Sequence, residues 1–558
     1  MMPALRLLTF WTARFLVSGE MLALKPRVGS ADWLKFSGWF GSGLEENVCE
    51  AYNFLASNYV PGDEVFFFGF SRGAYTARAT AGLVAEVGIC QDIQMSRFWE
   101  MYTVYKTKDP RTPMEETEWG KLHRNLADKS EKELTDDDMI TVSAGDKDIE
   151  AQKVRKGDGY WWLSYCHKPV IKIVGVFETV GSLGYPANII KDVTEWNKKY
   201  AFHNTDIHPG ENLRYNPFSL NKVLTCCILE IENAFQALAL DEPRASMIPT
   251  LWNLPAKSPD QQGNQTNLIQ CWFPGVHINI GGGSQDGLKK TPKGDLECMA
   301  NTSFAWMVDR CRPFLRFEEK VLSFITQQYF EKLQKLTDRS VEKSTSGWGV
   351  GPYQKAFKGV LNTIIGEEIR TPGHYLDKLD AREYIHPVVF HAMENQNYTS
   401  KALEGFKRIS NGEGKGHSWV KSYTPKDKQS WSEWAGFKSR TVEQTPESVT
   451  VTIPEFVIPK MVVQEGSYSH ERYYASPLER LLILRNQWND DQTNEAFESE
   501  EQFRQRKDSI IGKQAASGYL TQLDKDNSAT KYIGEAVSWG TSVPAEPEKP
   551  SDPFLSGS

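Results

Sequence analysis

Gly69-Phe70-Ser71-Arg72-Gly73 follows the apolar run Val65-Phe66-Phe67-Phe68 and precedes Ala74-Tyr75-Thr76-Ala77-Arg78-Ala79. That order reads as strand, sharp turn, helix. A G-x-S-x-G at such a junction reads as a nucleophile elbow, a strained turn that lifts a serine hydroxyl off the end of a sheet. Each glycine removes a Cβ where strand and helix come too close for one. The bare pentapeptide is a weak signal, and the buried-type strand before it and the Ala-rich helix after it give it meaning. The competing reading is an ordinary βα turn with an incidental serine.

Working outward, Leu44, Val48, Tyr52 and Leu55 recur at helical spacing and predict a helix over residues 44–58. Pro61-Gly62-Asp63 is a turn, residues 64–68 are a strand, and the helix after the elbow runs to about Val87. This is a βα unit opening an α/β fold. Two further runs, residues 169–177 and 268–273, are short and apolar, as strands buried on both faces are. The first ends at Glu178-Thr179-Val180-Gly181-Ser182-Leu183-Gly184. The second ends at Pro274-Gly275-Val276-His277-Ile278-Asn279-Ile280, followed by three glycines. Between them a helix is predicted over residues 231–241.

The flanks say less. Residues 4–24 are apolar, but Arg14 and Glu20 interrupt them, and the clean run is too short to span a bilayer. A core helix or a misplaced start site is favoured there over a signal peptide. Residues 105–160 are charged and polar and read as an insertion over the sheet edge, either a cap or a solvated excursion. Beyond Leu315 the texture is helical and mixed. Residues 347–353 are Gly-rich, residues 449–463 alternate like strands of an accessory region, and residues 488–530 are highly charged. The Pro-, Ser- and Glu-rich end has the composition of a disordered tail. The expected architecture is therefore α/β: an α/β-hydrolase-like open, mostly parallel sheet flanked by helices, with a charged insertion and a mixed C-terminal accessory region. The expected division is a catalytic domain over residues 1–320 with its insertion at about 105–165, an accessory region over 321–487 and a charged tail over 488–558.

Composition narrows the class. The chain has 558 residues, 40% hydrophobic and 24% charged, as globular proteins have. Its net charge of −8 gives no electrostatic footprint for nucleic acid and argues against a polybasic membrane surface. The eight cysteines form no C-x-x-C pair, so zinc-ribbon and thioredoxin-type motifs are absent from the sequence. So low a cysteine density fits reduced thiols and a cytoplasmic location.

A serine hydroxyl at neutral pH needs a base to take its proton, and the base needs an acid to hold its tautomer. In α/β-hydrolases these follow in the order serine, acid, histidine. Ser71, Glu178 and His277 stand in that order, each just past a predicted strand, where an open α/β sheet places its site. His277 is the preferred base because its Gly-rich loop lets backbone approach a ligand. His386 and His391, near Pro387, read as packing or surface residues. Glu178 is the preferred acid and Asp241 the alternative; Asp241 could instead pair with Arg244 or act as a cap. The backbone N–H of Arg72 is the expected oxyanion donor, since it follows the nucleophile. The Arg72 side chain reads as a partner in a structural ion pair rather than a contact for an anionic substrate. A second donor could come from residues 38–43, which could equally be a connector.

Together these passages resemble a known group: the α/β-hydrolase-like family that includes the catalytic domains of type VI secretion phospholipase effectors and many fungal proteins. Four passages carry the resemblance. They are the residues from Gly62 to Arg78, those from Gly175 to Gly184, the stretch Ala237-Leu238-Ala239-Leu240-Asp241-Glu242-Pro243-Arg244 with Pro249-Thr250-Leu251-Trp252, and the residues from Trp272 to Gly283. They span about residues 44–310. The resemblance implies a serine hydrolase acting on lipid esters, with Ser71 as nucleophile, Glu178 at the acid position and His277 as base. There are departures. The acid position often holds aspartate. Members open on a strand ending in an Asp-Gly-Thr-type loop, nothing before Ser30 matches it, and that first strand is expected to be missing. The lysines at 289, 290 and 293 look inserted.

The expected function is cleavage of an ester, most plausibly of a (phospho)lipid, through an acyl-enzyme, with no cofactor or metal required. A catalytically degenerate binding or scaffold protein, and an esterase or amidase on a soluble substrate, are the alternatives. The expected partners are the ester or lipid substrate and at most a transient membrane contact, with no nucleic acid. Acyl chain, headgroup and protein partners are not legible.

Overall fold

The computed structural model describes, apart from short internal gaps, residues 6–10, 21–23, 44–108, 112–122, 139–142, 152–155, 166–180, 231–254, 266–282, 297–317, 368–373, 381–423, 449–465 and 472–485, with residues 322 and 348. The chain begins with strands β1 (Arg6–Phe10) and β2 (Met21–Ala23). Helix α1 (Leu44–Asn58), strand β3 (Val65–Phe70), and helices α2 (Arg72–Val87), α3 (Phe98–Thr107) and α4 (Glu118–Leu122) follow. A short antiparallel pair, β4 (Met139–Val142) and β5 (Gln152–Arg155), stands apart from the main sheet. The core resumes with β6 (Ile171–Phe177), β7 (Ile231–Ala239), β8 (Asn267–Phe273), α5 (His277–Gly281) and α6 (Glu297–Cys311). Later come β9 (Glu383–Ile385) and α7 (Val388–Gln396), the three-stranded antiparallel sheet of β10 (Lys407–Ser410), β11 (His417–Tyr423) and β12 (Val449–Pro454), the pair β13 (Val462–Glu465) and β14 (Arg472–Ala475), and α8 (Leu478–Arg485).

Among the described residues the main sheet has seven strands in the order β2-β1-β3-β6-β7-β8-β9, every neighbouring pair parallel. From β1 the chain steps out to β2, then returns to the other flank of β1 as β3 and proceeds one way. The order therefore reverses between β1 and β3, and such a switch opens a crevice outside the carboxyl ends of the strands. Ser71 follows β3 at that place.

Side chains alternate across the strands to build two cores. On one face Phe67, Val174 and Ala234 pack with Tyr52 of α1 and Leu83 and Val84 of α2. On the other, Phe66, Ile173, Phe235 and Phe273 pack with Trp306 of α6, Phe456 and Leu482. Burying each such side chain is worth about 1.5–3 kcal/mol, which holds the strand ends in register. A polar ladder crosses the sheet. Thr179 Oγ1 donates to Gln236 Oε1 (2.5 Å), and Gln236 Nε2 donates to Gln270 Oε1 (3.0 Å). Arg78, on the buried face of α2, donates to the Thr250 carbonyl (2.5 Å) and lies over the Trp252 ring at 4.2 Å.

Several expectations change. Residues 231–239 are not a helix but β7, a central strand buried between β6 and β8. Their Ala, Leu, Glu and Gln are helix formers, but a slot between two parallel strands overrides that weak preference. The described parts of the apolar N-terminal stretch are two short strands, not a core helix. The first strand is accordingly present: Arg6–Phe10 pairs with β3 from Arg6↔Val65 to Phe10↔Gly69. The charged segment expected as an insertion begins inside α3, whose Tyr102 and Tyr105 are buried against the core. β9, from the stretch read as accessory, completes the main sheet beside β8. Residues 38–43, 181–184, 289–293 and 488–558 lie outside the described residues.

Candidate active site

The elbow is built by steric exclusion. Ser71 has φ 59° and ψ −121°, in a region that L-residues adopt only under constraint. Two things hold it there: the Ser71 N–H donates to the Phe177 carbonyl (3.0 Å), and the Ser71 carbonyl accepts from Tyr75 N–H (3.2 Å). A Cβ on Gly69 would stand 2.3 Å from the Gly73 carbonyl oxygen, so the strand–helix crossing requires glycine. A Cβ on Gly281 would stand 2.1 Å from the Phe70 ring, which itself packs against the His277 ring at 4.6 Å.

Glu178 directly follows β6 and also has a positive φ, 47°. Its N–H donates to the Ala237 carbonyl (2.9 Å), and its Oε1 accepts from Ala239 N–H (2.5 Å), so β7 grips both backbone and side chain. His277 opens α5 rather than lying in a loop. Its backbone N–H donates to Glu242 Oε2 (3.1 Å). Its ring bridges the other two groups: Nδ1 stands 3.2 Å from Glu178 Oε2, and Nε2 stands 2.8 Å from Ser71 Oγ. The network assigns the proton to Nδ1, facing the carboxylate, and leaves the Nε2 lone pair for the serine hydroxyl.

Both ring nitrogens of His277 are thus engaged by Ser71 and Glu178. Asp241, the alternative acid, sits elsewhere: its Oδ2 accepts from Gly275 N–H (2.8 Å) and Tyr398 O–H (2.6 Å). It clamps the turn that carries His277, where Gly275 has φ 101°. Arg244 pairs with Glu242, not with Asp241, through Nε–Oε1 (2.5 Å) and Nη2–Oε2 (2.9 Å). The Arg72 N–H occupies the first position of α2, directly after Ser71. Burial pulls the Arg72 guanidinium below its ordinary pKa. His386 and His391 are both buried, and His386 Nε2 contacts Glu479 Oε1 at 2.7 Å.

Two residues were missed. Glu242 lies in the stretch from Ala237 to Arg244, next to Asp241, and no local pattern separates the two carboxylates. Arg370 belongs to no pattern. Its Nη2 donates to Glu178 Oε2 (3.0 Å), and it lies 192 positions from that residue. Burial pushes the Glu178 carboxyl up, but the Arg370 charge, His277 and the Ala239 N–H outweigh it and leave the group below its ordinary value. Glu242 is likewise lowered: Arg244 and His277 outweigh its burial. Among the described residues no cluster of His, Cys, Asp and Glu is arranged to hold a metal ion, and no helix is long and apolar enough to cross a membrane.

Residues 26–310 match the family model for the catalytic domain of Tle1-like phospholipase effectors of the type VI secretion system. A 66-residue stretch is 38% identical to an uncharacterized protein of Saccharomyces cerevisiae, covering 11% of this chain and 10% of that protein. The chain therefore spans about a tenth of that curated relative. Two solved structures are similar in part. An uncharacterized protein from Pseudomonas aeruginosa is 16% identical, with a TM-score of 0.20, covering 46% of this chain and 24% of that one. A Tle1 effector, solved bound to the VgrG spike of the type VI secretion system, is 18% identical, with a TM-score of 0.16, covering 45% of this chain and 32% of that one.

Proposed function

The chain belongs to the family of Tle1-like phospholipase effector catalytic domains, and from that membership and the geometry around Ser71 we propose that it is a serine hydrolase cleaving an acyl ester of a phospholipid. The observation that carries the reading is the 2.8 Å contact of His277 Nε2 with the hydroxyl of a serine held at φ 59° on an elbow. A structural serine needs neither the strained turn nor a buried imidazole aimed at it.

Ser71 Oγ attacks the ester carbonyl carbon as His277 Nε2 takes its proton. Glu178 holds the imidazole by Nδ1–H and stabilises the imidazolium as it forms. The Arg72 N–H donates to the developing oxyanion; loss of one such donor typically lowers turnover about 10²–10³-fold. The tetrahedral intermediate collapses, and His277 returns the proton to the departing alcohol, leaving an acyl-serine. Water, deprotonated by the same imidazole, attacks that ester and releases the fatty acid and free Ser71. The family's phospholipase character favours a lipid ester over a small soluble one.

The test is labelling of the full chain with a fluorophosphonate, alongside Ser71→Ala and His277→Ala, followed by fatty-acid release from phospholipid vesicles. Labelling lost in Ser71→Ala and strongly weakened in His277→Ala supports the reading. A folded wild type that does not label overturns the activated serine and leaves a binding or scaffold role. Labelling together with hydrolysis of small soluble esters alone would transfer the substrate to that class.

A further inference from the structure

We propose that Arg370, which lies beyond the family-matched residues, is a positioning residue for this chemistry: its guanidinium ties the Glu178 carboxylate to two backbone carbonyls and so fixes the imidazole of His277. The inference rests on the serine-hydrolase reading. Arg370 is 5% exposed and makes three kinds of contact. Nη2 donates to Glu178 Oε2 (3.0 Å) and to the Met247 carbonyl (2.7 Å), and Nε donates to the Glu242 carbonyl (3.1 Å). The fork thus joins the carboxylate just after β6 to the chain that runs from Asp241 past Met247, whose Glu242 side chain also holds the His277 backbone.

The arginine is itself anchored on both sides. Glu368 N–H donates to the Pro243 carbonyl (2.8 Å), and Gly373 N–H donates to Glu383 Oε2 (2.9 Å). Gly373 has φ 75°, and a Cβ there would stand 2.6 Å from Val451, so the turn after Arg370 requires glycine and packs closely on the neighbouring sheet. A flexible surface arginine could not position anything. This one has its head and its backbone held.

The need for it follows from burial. The Glu178 side chain is 0% exposed. Its other acceptor contacts are the Ala239 N–H and the His277 Nδ1–H. An ionised carboxylate removed from water is costly unless paired, and an unpaired one takes up a proton instead. A protonated Glu178 loses its charge against the imidazolium. The groups that face it are the Arg370 guanidinium and the His277 imidazole. Behind them stand Glu242, held by Arg244, and Asp241, held by Tyr398 and the Gly275 N–H. Arg370 and His277 share the same oxygen, Oε2, so the arginine also sets the direction in which the imidazole can bond. A lysine would supply the charge but could not bridge from Nε and Nη2 at once.

The experiment compares fluorophosphonate labelling rates of wild type, Arg370→Gln and Arg370→Lys across pH, with Tm and the labelled fraction recorded for each. Arg370→Gln is expected to slow labelling per active site about 10- to 100-fold, the scale of a misplaced catalytic group. It should also move the acid limb of the rate profile to higher pH, because the limb marks protonation of the base and the lost cation no longer opposes a positive charge on the neighbouring imidazole. Arg370→Lys is expected to slow labelling less and leave the limb in place. A purely structural role would lower Tm and the labelled fraction while leaving the rate per site and its pH profile unmoved. A folded Arg370→Gln that labels like wild type overturns the proposal. If Arg370→Gln fails to fold, the lysine variant decides, and a wild-type rate there overturns the fork. Failure of wild type to label would instead sink the serine-hydrolase reading.

Discussion

Among the described residues two buried histidine–glutamate pairs are wired in opposite ways. His277 gives Nδ1 to Glu178 and keeps Nε2 for Ser71. His386 gives Nε2 to Glu479 (2.7 Å), while its Nδ1 accepts from Val388 N–H (3.3 Å), so no ring nitrogen remains for a substrate. The first pair has a guanidinium in contact with its acid, and Glu178 is lowered despite its burial. The second is governed by burial: His386 is pulled down to about 3 and Glu479 pushed up to about 8. Its ring is stacked on Phe273 at 4.5 Å and flanked by Trp348. A histidine and a carboxylate in contact do not by themselves make a proton shuttle. What sets the first pair apart is a ring nitrogen facing a serine hydroxyl and a guanidinium against the carboxylate.

The sharpest break of this comparison is the pair of histidine variants. His277→Ala should slow fluorophosphonate labelling by about 10⁴-fold or more, the usual loss when a triad base is removed. His386→Ala should label at the wild-type rate per folded molecule but lose about 3 kcal/mol of stability to the cavity it leaves. A chemical defect in His386→Ala would end the division into a reactive and a packing pair. Next come the acids. Glu178→Gln should slow labelling about 10³–10⁴-fold by upsetting the imidazole tautomer. Glu479→Gln, replacing a carboxyl already held neutral near pH 7, should change the unfolding free energy by no more than about 1 kcal/mol.

The remaining contrast is in pH dependence, and its sign differs between the pairs. Below pH 8 and above pH 3 the folded His386–Glu479 pair keeps one proton, from the values to which burial moves it. Unfolded, with ordinary values of 6.5 and 4.5, it holds none above pH 6.5 and two below pH 4.5. The folded form therefore binds the extra proton from pH 6.5 to 8, and stability falls by about 2 kcal/mol as pH rises through that window. Asp309, pushed up to about 7 by burial, adds a decline of the same sign from lower pH. Glu178 is depressed, so its contribution is present above pH 4.5 and is lost as pH falls through its folded value. Tm followed from pH 5 to 9 in wild type and Glu479→Gln checks this: the alkaline decline should flatten in the variant, and an unchanged slope would assign it elsewhere.

How much of this could be read from residues varies along the chain. Helix α1 was legible over its full length because Val48, Tyr52 and Leu55 mark one buried face. Strand β6 was legible because a short run such as Ile171-Lys172-Ile173-Val174-Gly175-Val176-Phe177 suits only a buried strand. Strand β7 was not: Asn233 and Gln236 put polar groups inside, and those groups are satisfied only by partners on neighbouring strands and the Thr250 loop. The N-terminal strand was hidden by the absence of a recognisable loop after it. Ser71, Glu178 and His277 could be nominated because each lies just past a strand. Arg370 could not, since an arginine before Thr371-Pro372-Gly373 resembles any other before a turn.

The sequence by itself determined the strand–turn–helix at Ser71 and the order of serine, carboxylate and histidine along an α/β chain. Those are local matters: two glycines without room for a Cβ, apolar periodicity, and strand ends. Only the tertiary structure decided which carboxylate meets the imidazole, which one clamps its turn, and which cation lies against the first. Glu178, Asp241 and Glu242 are chemically alike and close to strand ends alike. The pairing of β6, β7 and β8 separates them, directing Glu178 at the His277 ring and Asp241 at the Gly275 backbone. Arg370 arrives through a segment anchored to the Pro243 carbonyl and to Glu383 at the sheet edge. Such contacts join residues far apart in the chain, and no local pattern of hydrophobicity or propensity records them.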